Sequence, residues 1–338
     1  YILDLRPENS FVNYLVGKGH TVFMVSWRNP GAEMRDTSLE DYRLHGVLAA
    51  LDAVTRIVPD TKVHACGYCL GGTILAIAAA TMARDGDDRF ASLTLLAAQT
   101  DFTEAGELML LIDESEVSLL EDMMWDKGCL DSDQMAGIFR VLRSEDLIWS
   151  RAMRRYMLGR DEDASDMTTW SRDSTRMPYR MHSEYLRSLF LENRLTAGRF
   201  AVEGCVIALK DISVPLFVVG TERDHIAPWN SVYKTALFTD VDLTFVLASG
   251  GHNTGIISVP RDARARHRIG HRGAGALYTG PDRWLEDHAP KDGSWWPELA
   301  KWLAATGGGK QVPPPPMGRA DAGLPPLGPA PGTYVFAR

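Results

Sequence analysis

The chain has 338 residues, 45% of them hydrophobic, enough for one large core or two ordinary domains. A net charge of -8 argues against nucleic acid as the main partner but leaves room for a polyanion at a local patch. No apolar run approaches the ~20 residues of a membrane span, and the four scattered cysteines (Cys66, Cys69, Cys129, Cys205) build no disulfide framework and suit a reducing cytoplasm.

In chain order, Ile2 to Leu5 reads as the end of a strand, and because the chain opens on Tyr1 rather than Met, an upstream segment is expected. Asn9 to Gly17 reads as a short helix. His20 to Trp27 (H-T-V-F-M-V-S-W) predicts a buried strand of a parallel sheet, ended by Arg28-Asn29-Pro30-Gly31. Thr37-Ser38 with Glu40-Asp41 opens an amphipathic helix to about Val58, with Leu44, Val47, Leu48, Leu51 and Val54 as its apolar stripe.

Lys62 to Thr73 (K-V-H-A-C-G-Y-C-L-G-G-T) then reads as strand, sharp turn and helix, with the apolar run Thr73 to Met82 continuing the helix. Gly67 and Gly71 flank Cys69 in the pattern G-x-S-x-G with sulfur for oxygen, and Gly72 leaves extra room. Such a nucleophile elbow projects the side chain clear of the sheet and aims helix-opening N–H groups at its reaction partner. The competing readings of Cys69 are a buried apolar thiol and a Cys66-x-x-Cys69 redox pair.

Ser92 to Ala98 predicts the next strand, ending in Gln99-Thr100-Asp101-Phe102. Alternating strands and helices imply an α/β class with a mostly parallel, doubly wound sheet. From residue 103 to 211 the alternation stops. The stretch is mostly helical in pattern, carries the run Leu147 to Leu158, and is expected to be a cap inserted between core segments 1–102 and 212–305.

Strands resume at Val214 to Gly220, followed by Asp224-His225, and at Leu243 to Ala248, followed by Ser249-Gly250-Gly251-His252. Both polar clusters follow strand C-termini, where open α/β sheets gather reactive groups. Ser294 to Ala305 closes the fold as a helix, and the Pro/Gly-rich tail 306–338 is expected to lie extended over the core.

Cysteine, aspartate and histidine in this chain order match an α/β-hydrolase triad. Cys69 is the candidate nucleophile, His252 its base, and Asp224 the acceptor that fixes the imidazole tautomer. His225 is the rival base. The N–H of Leu70 is one expected oxyanion donor, while the second normally comes from a loop at or before Tyr1. A free thiol with pKa ~8.5 is only partly ionised at neutral pH, so a neighbouring base has work to do. Sulfur in place of oxygen hints at acyl transfer from a thioester, where attacking and leaving groups are matched. No metal-ligand spacing and no bound cofactor are expected.

The motifs Tyr1-Ile2-Leu3-Asp4-Leu5, Gly19 to Phe23 with Val25 to Pro30, Gly67 to Thr73, Asp224-His225-Ile226 with Pro228-Trp229, Ser249 to His252, and Gly293 to Pro297 resemble the class I polyhydroxyalkanoate synthases along nearly the whole chain. That resemblance implies an α/β-hydrolase fold and polymerisation of (R)-3-hydroxyacyl-CoA, of short acyl chain, on a cysteine, with release of coenzyme A. It maps nucleophile, aspartate and histidine to Cys69, Asp224 and His252, and leaves open whether the aspartate also activates the 3-hydroxyl. It further implies a homodimer on cytoplasmic storage granules. By the same resemblance the family's N-terminal domain is expected to lie upstream of Tyr1. The segment with Arg261, Arg264, Arg266, Arg268 and Arg272 is richer in arginine than the family leads one to expect, and reads either as a site for coenzyme A phosphates or as a solvated loop. Alternatives are a cysteine-dependent depolymerase or thioesterase and an inactive granule-coat subunit. Cap aromatics Trp149, Tyr156, Trp170 and Tyr185 are candidates for the pocket lining.

Overall fold

A computed structural model describes residues 1–131, 137, 156–157, 159, 165–173, 175–309 and 311–333. Its centre is a six-stranded sheet: β1 (Val63–Tyr68), β2 (Phe90–Leu96), β3 (Leu216–Thr221), β4 (Leu243–Ala248), β5 (Arg266–Arg272) and β6 (Lys291–Asp292), in that spatial order. The first four are parallel, and β5 and β6 run antiparallel at one edge. Every residue of β3 and β4 is buried, as expected for parallel strands covered on both faces.

The helix Leu70–Arg84 follows β1 and is buried without a break from Gly72 to Met82. Its Ala-rich composition leaves no polar face for solvent, so it sits between the sheet and outer layers. Ser38 caps the helical run Leu39–Asp41, Tyr42–Leu48 (π-wound) and Ala49–Ile57: its hydroxyl accepts from the Asp41 N–H at 3.1 Å, and the Asp41 carboxylate accepts from the Ser38 N–H at 2.8 Å. On the opposite face the helix Trp296–Thr306 packs with Phe11 of the helix Phe11–Gly17, burying Trp295 and Trp296.

Three sequence expectations fail. Ile2–Asp4 is a short 3-10 helix, not a strand end. His20 to Trp27 forms no strand, and Phe23, Met24, Val25 and Trp27 are 42–45% exposed. Apolar composition alone does not make a strand, because the backbone needs a neighbour for its N–H and C=O groups, and the segment pairs with none in the sheet. The third concerns the arginine segment, whose second half is the ordered strand β5 rather than a loop.

Between β2 and β3 the described residues are mainly helical: Glu114–Trp125, Asp166–Arg172, and Tyr179–Tyr185 continuing into the π-wound turn Leu186–Leu191. Two small ladders accompany them, Cys129–Leu130 with Met177–Pro178 and Ala201–Val202 with Cys205–Val206. Most of the run Leu147 to Leu158, including Trp149, lies outside the described residues. The tail is extended and pinned to the end of the helix Ala49–Ile57, where the Arg319 guanidinium donates to the Arg56 carbonyl at 3.0 Å and Arg56 donates to the Ala322 carbonyl.

Candidate active site

Cys69 stands between the end of β1 and the start of the helix Leu70–Arg84 with φ 53° and ψ -127°, a backbone conformation that a non-glycine residue adopts only when its surroundings enforce it. The Cys69 N–H donates to the Leu96 carbonyl of β2 at 2.9 Å, and the Cys69 carbonyl accepts from Gly72 at 2.9 Å and Thr73 at 3.3 Å. These bonds lock the turn. A side chain at Gly67 would lie 2.5 Å from the Gly72 Cα, and one at Gly72 would lie 2.4 Å from the Ala98 Cβ. Gly71, by contrast, faces open space. The close approach therefore requires Gly67 and Gly72 rather than the motif position Gly71.

His252 and Asp224 come from the loops after β4 and β3. The imidazole Nδ1 lies 2.7 Å from Asp224 Oδ2, and Cys69 is near enough for its charge to act on the ring. Asp224 accepts three further bonds, from Thr221 Oγ1 at 3.1 Å on Oδ2 and from the N–H groups of Ile226 at 2.9 Å and Ala227 at 2.8 Å on Oδ1. Its carboxylate is fully shielded from solvent. Burial by itself disfavours the His252 imidazolium, but the charge of an ionised Cys69 and the bond to Asp224 outweigh it and raise the imidazole to about 10. The arrangement therefore favours a protonated imidazole beside the Cys69 sulfur.

His225 is turned away. It is 57% exposed, with Nδ1 3.4 Å from Glu107 Oε1, so it does not share the Asp224 carboxylate. Leu70 opens its helix, and the first N–H groups of a helix have no acceptor within it.

Several residues around the triad escaped sequence reasoning. Tyr68, the middle residue of Gly67-Tyr68-Cys69, donates from its hydroxyl to Asn253 Oδ1 at 2.5 Å and packs its ring 5.3 Å from the His252 ring. The indole N–H groups of Trp295 and Trp296 donate to the Gly255 and Ile256 carbonyls, each at 2.9 Å, and so brace the histidine loop from below. Sequence marked those tryptophans as part of a closing helix and of the motif Gly293 to Pro297, without a link to the histidine loop. Tyr68 lay inside the elbow motif, which was the available signal.

Of the cap aromatics, Tyr185 packs against the main core, and its phenol is pushed up by burial first and by the Cys69 charge second. Trp170 packs instead with the cluster around Trp295 and Trp296, and Tyr156 is 81% exposed.

The structure divides the arginines. β5 is antiparallel to β4, so Arg266 lies at the sheet end that carries His252, and Arg272 at the far end. Arg268 donates to the His288 carbonyl at 2.5 Å and the Leu285 carbonyl at 3.3 Å, and Arg272 to the Thr239 carbonyl at 2.7 Å. Both are structural clamps. Arg261, Arg264 and Arg266 are exposed, with Arg264 3.4 Å from Asp262 and Arg266 3.2 Å from Asp292. Among the described residues no group of three or more His, Cys, Asp or Glu side chains is placed to hold a metal ion, and no helix is long and apolar enough to cross a membrane.

The chain is 38% identical over 337 residues to the poly(3-hydroxyalkanoate) polymerase of Methylorubrum extorquens, covering 99% of this chain and 54% of that protein. It is 36% identical to the poly(3-hydroxyalkanoate) polymerase subunit PhaC of Rhizobium meliloti, covering 100% of this chain and 54% of that one, and 36% identical to the subunit PhaC of Cupriavidus necator, covering 100% and 57%. The chain thus spans about half the length of the curated relatives it matches. The family model described as the alpha/beta hydrolase fold matches residues 4–257. With its parallel sheet, its elbow at Cys69 and its aspartate and histidine on successive strand ends, the chain belongs to the α/β-hydrolase fold family.

Proposed function

We propose that this chain is the catalytic portion of a poly(3-hydroxyalkanoate) polymerase, which takes (R)-3-hydroxyacyl groups, 3-hydroxybutyryl among them, from coenzyme A thioesters. The observation that carries this reading is a cysteine, not a serine, on the elbow, beside a His252 that is itself held at 2.7 Å by a buried Asp224. The names of its relatives support the same chemistry.

In the first step Cys69 Sγ attacks the thioester carbonyl carbon, and the Leu70 N–H donates to the developing oxyanion. Collapse breaks the bond to the coenzyme A sulfur, which leaves as the thiol with the proton from His252 Nε2. Acyl-Cys69 and a neutral imidazole remain. In the second step His252 takes the proton from the 3-hydroxyl of another hydroxyacyl unit, whose oxygen attacks the acyl-cysteine. The ester forms, and the Cys69 thiolate and the imidazolium are restored.

Asp224 acts by orienting His252. With two acceptor bonds on each oxygen and no exposed surface, it has no free lone pair to offer the hydroxyl. Arg261, Arg264 and Arg266 supply the exposed positive charge for the coenzyme A phosphates. No cofactor beyond the thioester substrate is invoked. The working form is a homodimer at the surface of cytoplasmic polyester granules.

The test is incubation of the purified protein with (R)-3-hydroxybutyryl-CoA. Polymer and free coenzyme A are expected. Free 3-hydroxy acid in place of polymer would make it a thioesterase or depolymerase, and no acylation of Cys69 at all would make it an inactive granule subunit.

A further inference from the structure

Asp101, just past the end of β2, is a second buried carboxylate, only 3% exposed, and the triad does not use it. It gathers donors from three parts of the fold. Oδ1 accepts from the Thr103 hydroxyl and, at 3.2 Å, from Lys234 Nζ; Oδ2 accepts from Asn193 Nδ2 at 2.9 Å and Thr196 Oγ1 at 2.8 Å. Its carbonyl accepts from Ser231 Oγ at 2.6 Å. Burial opposes its charge, yet these donors bring the carboxyl down to about 2.

Asn193 is the other half of the junction. It ends the cap helix in a left-handed conformation, φ 45°, and its Oδ1 accepts from the Phe102 N–H at 3.0 Å while its Nδ2 donates to Asp101. The entry to the cap insertion and the end of the cap helix are therefore tied residue to residue. Phe102, fully buried, meets Phe190 at 4.9 Å and Tyr185 at 6.3 Å between ring centroids, and Tyr185 meets Phe190 at 5.3 Å. The same cap helix packs Met181 against Ile74 and Leu70 of the helix that Cys69 opens.

We propose that Asp101 and Asn193 are positioning residues that hang the cap helix on the sheet, fix that helix against the elbow, and so set which molecules reach Cys69. Three features separate this role from general stability. The junction joins the entry of the cap to the end of its helix. Its aromatic neighbours Tyr185 and Phe190 lie on that cap helix and its π-wound continuation. Its carboxylate uses four side-chain donors where two would satisfy a surface aspartate. The inference rests on Cys69 as the reactive thiol and not on which acceptor takes the acyl group.

The experiment compares alkylation of Cys69 by iodoacetamide and by a bulky aryl maleimide, followed by peptide mass spectrometry with fragment ions separating Cys69 from Cys66. Asn193→Gly keeps the left-handed backbone and removes both side-chain bonds; Asp101→Asn removes the charge. Each is expected to raise the maleimide-to-iodoacetamide rate ratio about tenfold, the scale of one charge-assisted hydrogen bond, with the iodoacetamide rate itself within about twofold of the parent. The swap Asp101→Asn with Asn193→Asp restores a donor–acceptor pair and is expected to return the ratio toward the parent value. In thioester turnover the single variants raise KM more than they lower kcat. An unchanged ratio, or equal acceleration by both reagents, overturns the proposal. Should one single variant not fold, the other and the swap decide by the same ratio. A normal iodoacetamide rate with no thioester turnover would count against the polymerase reading alone.

Discussion

His252 Nδ1 lies 2.7 Å from Asp224 Oδ2, and every other lone pair of that carboxylate is already bonded to Thr221, Ile226 or Ala227. The aspartate is thus built to hold a histidine. Asp224→Asn is expected to lower the rate of Cys69 acylation and the rate of chain growth by the same factor, about 10³ to 10⁴, as when an orienting aspartate is lost from a triad. Rapid-quench measurement of coenzyme A release and polymer formation checks this. Loss of chain growth with normal acylation would mean that the carboxylate serves the hydroxyl.

The imidazole of His252 is raised to about 10, so the folded protein prefers it protonated. With an ordinary value of ~6.5, this stabilisation is complete below that pH and disappears as pH rises through the folded-state value. Cys69→Ala deletes the charge that contributes most to the rise while leaving burial in place. Histidine ring NMR should show His252 protonated through neutral pH in the parent and titrating at distinctly lower pH in Cys69→Ala. An unchanged titration would mean that Cys69 carries no charge beside it.

Gly72 and Gly71 are adjacent but not equivalent. A methyl at Gly72 would meet the Ala98 Cβ at 2.4 Å, whereas one at Gly71 meets nothing within 4 Å. Gly72→Ala should destabilise the protein by about 1–3 kcal/mol through overpacking, and Gly71→Ala should be neutral or stabilising by up to about 1 kcal/mol. Urea melts followed by circular dichroism distinguish them, and the reverse order would place the tight contact at the other glycine.

The arginines should separate in the same way. Arg268→Ala removes donors from the His288 and Leu285 carbonyls and should cost about 1.5–3 kcal/mol of stability, with thioester KM unchanged. Arg264→Ala, on a fully solvated side chain, should leave the melt unchanged and raise KM for coenzyme A thioesters in a salt-dependent manner. A KM that does not move in Arg264→Ala, nor in Arg261→Ala, would remove this segment from substrate binding.

What sequence by itself determined was local. The run Val63 to Met82 encodes strand, turn and helix through residue size and period, and Asp224 and His252 could be placed because each follows a strand whose apolar run is self-evident. Only the tertiary structure decided what depends on partners distant along the chain. His20 to Trp27 has the composition of a strand but pairs with none in the sheet. Gly72 rather than Gly71 is required because Ala98, from the far end of β2, sits against it. Arg268 is a clamp because β5 passes the carbonyls near His288, and Asp101 is a junction because Asn193 returns to it across the whole cap. Backbone preference acts over a few residues, whereas hydrogen-bond partners and close packing are settled only when the sheet and its insertion have come together.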